Sequence, residues 1–119
     1  MLHFLKRLKD RCIWSWHGIA ETWQSEPSFR SWIWANLISI IAAFSLPLTF
    51  GERALILVLG ILVLASELMN TAIEIAIDYI SREKNEMARK AKDAGSASVA
   101  VTAIAAGVAW IVIFWRLFS

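Results

Sequence analysis

Three carboxylates and one amide recur as Glu67-x-x-Asn70-x-x-x-Glu74-x-x-x-Asp78. At 100° per residue these positions share one helix face, within an arc of about 80°. Hard oxygen donors in such a stripe suit a divalent cation such as Mg2+, and one of them suits the removal of a proton from a hydroxyl. The apolar run Leu62-Val63-Leu64-Ala65 leads directly into Glu67. A charge deep in a membrane costs about 2.5–3.5 kcal/mol, so Glu67 reads as functional rather than incidental. Asp78, and to a lesser degree Glu74, also fit a plain solvated helix end.

A second group lies at Lys90-Ala91-Lys92-Asp93-Ala94-Gly95-Ser96. Lys92 offers a point charge suited to phosphate, and a helix expected to start just after it would turn free N–H groups toward an anion. Taken alone, this cluster also reads as an ordinary charged loop. Glu26, before Pro27, is a third candidate, although a glutamate in a turn is commonly just solvated. Together the inventory matches metal-assisted phosphoryl transfer: oxygen ligands, a cation for phosphates and a base for an acceptor hydroxyl. Neither a G-x-x-x-x-G-K-[ST] stretch nor a protein-kinase Gly-rich loop is present, so a nucleotide needs a different cradle. Residue chemistry alone reaches interfacial acid–base or metal chemistry.

The elements that must position these groups belong to a membrane. The chain has 119 residues, enough for one domain, with 58% hydrophobic residues and seven tryptophans. Its mean hydropathy of +0.56 is too high for a small soluble domain to bury. Residues 31 to 51 and 94 to 115 carry no charge over 21 and 22 positions, each enough to cross the roughly 30 Å hydrocarbon core. Between them Ala54–Ser66 gives only 13 uncharged residues, about 20 Å of helix. The spacing therefore predicts an all-α protein of three spans, at 30–50, 53–80 and 94–116, the second with a polar cytoplasmic extension. Pro47 falls near the end of the first run, Gly51-Glu52-Arg53 reads as a polar turn, and residues 79 to 93 read as a charged connection.

Residues 1–26 form a separate element. Leu5, Leu8, Cys12, Trp16, Ile19 and Trp23 recur at helical spacing, the pattern of an amphipathic helix on the membrane surface or of a helix packed on the bundle. Five Lys or Arg residues lie up to Arg30 and five between Tyr79 and Gly95, against only Arg53 and Arg116 elsewhere. That asymmetry places the N-terminal segment and the second-to-third connection in the cytoplasm. The same basic clusters beside apolar spans read as facing anionic lipid, not nucleic acid. Cys12 is the only cysteine, which excludes an internal disulfide, and the first 30 residues carry charges without the apolar core of a cleavable signal. The small residues Ala97, Ala100, Ala103 and Gly107 of the third span read as packing.

Glu67-Leu68-Met69-Asn70-Thr71-Ala72-Ile73-Glu74, followed by Ala91-Lys92-Asp93-Ala94-Gly95-Ser96-Ala97, closely resembles the signature of the bacterial integral-membrane diacylglycerol kinase family. The likeness extends to Ser15-Trp16-His17-Gly18 and to Glu26-Pro27-Ser28-Phe29-Arg30. It implies a homotrimeric bundle in the inner membrane, with active sites shared between subunits. It also implies ATP as co-substrate, Mg2+, and transfer of the γ-phosphoryl group to diacylglycerol, a step of phospholipid metabolism that yields phosphatidic acid. By position, Glu67 resembles the catalytic base, Glu26 and Glu74 the metal-holding carboxylates, and Asn70 the active-site amide. Lys92 and Asp93 resemble the pair near the nucleotide, while Arg7 and Ser15 match positions near nucleotide or substrate. Trp32 stands where many relatives carry an acid, which puts any contact from there in doubt. Lys90 replaces an arginine and loses its bidentate fork.

Three other functions compete. A relative with the same apparatus phosphorylates undecaprenol, a small proton-coupled exporter also uses a membrane glutamate, and a non-enzymatic adaptor has no use for three aligned acids. The stretch around Glu26–Arg30 resembles the diacylglycerol branch more closely.

Overall fold

A computed structural model describes all 119 residues as four helices and no strands. These are α1 (Leu2–Ser25), α2 (Pro27–Ser45), α3 (Phe50–Ile80) and α4 (Glu86–Phe118). The molecule is a flat plate of 53 × 46 × 23 Å. In it α3 packs between α2 and α4, antiparallel to both.

Each boundary has a local cause. Proline disfavours a helical residue before it, so Glu26 is extended (φ −117°, ψ 101°), α1 stops and Pro27 opens α2. Arg30 closes the corner: its guanidinium donates to the Trp23 and Gln24 carbonyls at 2.5 and 3.2 Å, satisfying acceptors at the end of α1. Pro47 similarly ends α2 at Ser45 and leaves Leu46 extended.

Two expected connections fall elsewhere. Gly51-Glu52-Arg53 is not a turn but the first turn of α3. Thr49 and Glu52 make a reciprocal capping box, with Thr49 N–H donating to Glu52 at 2.8 Å and Glu52 N–H to Thr49 Oγ1 at 3.1 Å. The connecting segment is therefore Leu46–Thr49. Likewise, residues 79 to 93 are mostly helical. Asn85 accepts from the Ala88 N–H at 2.8 Å and starts α4 at Glu86, while Arg89 pairs with Glu86 and Asp93 one turn away on either side. Lys92 consequently stands inside a helix, not at a helix N-terminus, and the expected anion site of free N–H groups beside it does not form there.

Only 12 of the 119 residues are buried, and 33 large apolar side chains are exposed, so the chain by itself leaves most of its apolar surface uncovered. What core exists lies at the end away from the basic clusters, where Ala43, Leu48, Ile56, Ala109 and Ile113 meet. α3 and α4 are long and apolar enough to cross a membrane. α2, the expected first span, is not in that class, since Arg30 and Asn36, with its serines and tryptophans, lower its hydropathy. The apolar stripe of α1 faces outward, with Leu5, Leu8, Trp16 and Ile19 all exposed. It is not buried on the bundle.

Candidate functional site

Glu67 is only 5% exposed, and it points toward α2, not toward α4. Ser28 donates to its Oε2 at 3.4 Å, placing the carboxylate against the start of α2 just past the Glu26–Pro27 corner. Trp32 lies on the same side, and Glu26 and Glu74 stand close enough for their charges to act on Glu67. The corner that breaks α1 from α2 thus carries Glu26 to the stripe on α3. No Lys, Arg or His forms an ion pair with Glu26, Glu67 or Glu74.

One and two turns further on, the stripe meets α4. Asn70 Nδ2 donates to Glu74 Oε1 at 3.3 Å, while Asn70 Oδ1 is buried and has no hydrogen-bond partner. At the end of the stripe, Asp78 accepts from Lys92 Nζ at 2.8 Å. This joins the two sequence clusters through a pair that the spacing of either cluster alone did not reveal. Asp93 turns the other way and accepts from Arg89 at 2.8 Å on the exposed face of α4. Arg82, Lys84, Arg89 and Lys92 line an open cleft of about 570 Å³ at this end, together with Asp78 and Asp93.

The remaining candidates sit apart from these groups. Ser15 lines a cleft of about 380 Å³ between α1 and α3, with Thr22, Leu68 and Thr71. Arg7 lies near the other end of α1, in a shallow depression with Asp10, Arg11 and Trp14, all from its own helix. Within one chain the structure ties Asn70 to Glu74 and Lys92 to the stripe through Asp78, sets Glu67 beside the Glu26–Pro27 corner, and leaves Arg7 separate. No cluster of three or more metal-capable side chains forms in a single chain. The donor set nevertheless fits Mg2+, which takes one or two carboxylates and completes its shell with water and phosphate oxygens. Asn70 Oδ1, a buried acceptor without a donor, lies beside one of those carboxylates.

Two contributors escaped the sequence reading. Ser28, which orients Glu67, and Arg30, which ties the corner, appeared only as letters of a motif. A serine next to the candidate corner glutamate was the available signal for the first. Nothing local marks the second.

The family model for prokaryotic diacylglycerol kinases matches residues 13–114. A diacylglycerol kinase of Pseudomonas aeruginosa is 36% identical over 109 residues, covering 92% of this chain and 89% of that protein. Those of Escherichia coli K12 and Haemophilus influenzae are 34% and 35% identical over 106 residues, covering 89% of this chain and 87% and 90% of theirs. The matched segment contains every candidate site residue except Arg7. With such likeness along nearly its whole length, the chain belongs to the prokaryotic diacylglycerol kinase family and is an enzyme of the kinase class.

Proposed function

We propose that the protein transfers the γ-phosphoryl group of ATP to the free hydroxyl of diacylglycerol at the cytoplasmic face of the inner membrane. The new bond joins the lipid oxygen to Pγ, the bond from Pγ to the β-phosphate bridging oxygen breaks, and ADP leaves. The hydroxyl proton goes to the Glu67 carboxylate. The observation that supports this reading best is the Glu67 carboxylate, only 5% exposed, set against Ser28 beside the Glu26–Pro27 corner and without a cation of its own. A buried acid with further carboxylates on the same stripe calls for a positive partner, and Mg2+ arriving with a triphosphate is one. Glu26 and Glu74 would hold it, and the metal would supply neutralisation of charge on the transferring phosphoryl group.

Other side chains take supporting roles. Ser28 fixes the direction of the Glu67 carboxylate. Lys92, released from or shared with Asp78, meets phosphate, and Asp93, paired with Arg89, lines the same cleft toward the nucleoside. Ser15, in the cleft between α1 and α3, faces substrate, and Arg7 awaits a phosphate on the surface of α1. The lipid acceptor fits the depth of the site, since Glu67 closes the apolar run that starts at Ala54.

The same reading assigns residues 1–119 to one membrane domain of three spans. α2 lies antiparallel to α3 along its whole length, from the Ser28–Glu67 contact to the Arg53–Ala43 contact, so it occupies the same membrane depth. The outward stripe of α1 lies on the cytoplasmic leaflet. A homotrimer accounts for part of the exposed apolar surface and supplies the groups that a single chain leaves scattered. Arg7 is the clearest of these.

Purified protein, labelled ATP and either diacylglycerol or undecaprenol test the assignment. Label in phosphatidic acid is the expected result. Turnover on the polyprenol alone moves the chain to the other branch, and proteoliposome transport without lipid phosphorylation rejects kinase chemistry.

A further inference from the structure

Gly95 is buried on α4, opposite the carboxylate stripe. A Cβ at this position would stand 2.5 Å from Asn70 Oδ1 and 3.5 Å from Asn70 Cγ. The amide therefore fills the space that any other side chain at 95 would claim. The backbone does not require glycine here, because no glycine in the chain has a positive φ. What matters is the missing methyl group.

The orientation of Asn70 has two causes. On one side Glu74 Oε1 accepts from the NH2 end of the amide at 3.3 Å. The carbonyl end must then point away, into the hollow at Gly95, where it is buried without a partner. The other Asn–Gly contact in the bundle differs. Asn36 Nδ2 donates to the Trp32 and Gly60 carbonyls, both at 3.1 Å, and so spends its donor on backbone. Gly18 and Gly107 have open space around them. Only at Gly95 does the hollow hold a side chain that in turn bonds to a carboxylate of the stripe.

We infer that Gly95 is a positioning residue, whose hollow keeps Asn70 donating to Glu74 and thereby orients that carboxylate for a divalent cation. This rests on the proposed role of Glu74 as a metal ligand. The atom that a methyl group would displace is the tip of a flexible side chain, not backbone. Gly95→Ala therefore swings Asn70 off Glu74 and leaves the helix packing standing.

The test measures Mn2+ binding by electron paramagnetic resonance on the intact protein in lipid bicelles, with and without ATP. It also measures the Mg2+ needed for half-maximal phosphorylation of diacylglycerol. Loss of a group that orients a metal ligand weakens the metal by about 10–100-fold, and Gly95→Ala is expected in that range with an unchanged elution volume. Asn70→Ala should weaken the metal similarly, and adding Gly95→Ala to it should change affinity by less than about twofold, because the two act through one bond. Equal, multiplying penalties in both backgrounds, or wild-type Mn2+ affinity in Gly95→Ala, overturns the inference. Should Gly95→Ala fail to assemble, Gly95→Ala with Asn70→Ser removes the collision and must restore assembly; continued failure also overturns it. If the wild-type protein binds Mn2+ but phosphorylates no lipid, the kinase reading fails while the binding isotherms still decide the role of Gly95.

Discussion

The two ends of the helical plate differ in how completely their charges are paired. At the end away from the basic clusters, Glu52 completes the cap of α3 and accepts from Arg116 of α4 at 2.6 Å. Arg116 also reaches the Pro47 carbonyl, and Arg53 caps α2 through the Ala43 carbonyl with its guanidinium 5.2 Å from the Phe44 ring centroid. Glu52, Arg53 and Arg116 each have a partner from the same chain, next to the best-packed part of the core. At the other end Asp78, Glu86 and Asp93 are paired with Lys92 and Arg89, yet Glu26, Glu67 and Glu74 have no cationic partner, and a buried amide oxygen has no donor. Satisfied charges hold helices in register; unsatisfied ones are what an incoming ligand can use. The asymmetry sets the end that maintains the fold apart from the end proposed to react.

Substitutions at the two ends should therefore differ in kind. The largest effect is expected from Glu67→Gln, which keeps the Ser28 contact available but removes the proton acceptor. Turnover should fall by about 10²–10⁴-fold with the oligomer intact by size-exclusion chromatography. Near-normal turnover would refute the assignment of the base. Next come Glu26→Gln and Glu74→Gln, which should raise the Mg2+ requirement by about tenfold or more in a metal titration of activity. Unchanged titrations in both would remove the metal site from this corner.

A smaller change sharpens the division. Lys92→Ala should raise KM for ATP more than it lowers kcat if, as proposed, its ammonium meets phosphate and not the reacting hydroxyl; a pure loss of kcat would place it elsewhere. The smallest functional effect belongs to the opposite end. Thr49→Ala removes a capping bond and should cost about 1 kcal/mol of stability, seen as a Tm lower by a few degrees, with kcat and KM unaltered. A change in kinetics without loss of stability would mean that the two ends are not separable.

How far these features could be read in the residues depends on the range of the interaction that sets them. The break at Glu26–Pro27 was legible because proline acts on its immediate neighbour. The stripe of Glu67, Asn70 and Glu74 was legible because helical periodicity is local, and α3 does run unbroken through it. Gly51-Glu52-Arg53 misled because its composition suggests a turn, while Thr49 and Glu52 together make a cap that starts the helix earlier. The charges between 79 and 93 misled in a similar way. They suggested a loop, yet Glu86, Arg89 and Asp93 sit at helical spacing and pair along α4. The Lys92–Asp78 pair, the direction of Glu67 toward Ser28, and the hollow at Gly95 depend on the register between helices. No window of a single segment contains that register.

The most direct test of the account measures phosphatidic acid formed by the purified protein from diacylglycerol and labelled ATP across a Mg2+ titration, with Glu67→Gln alongside. No product is expected in chelator, saturable product as metal is added, and almost none at any metal concentration from the variant. Product at the wild-type rate in chelator, or from Glu67→Gln, would contradict it.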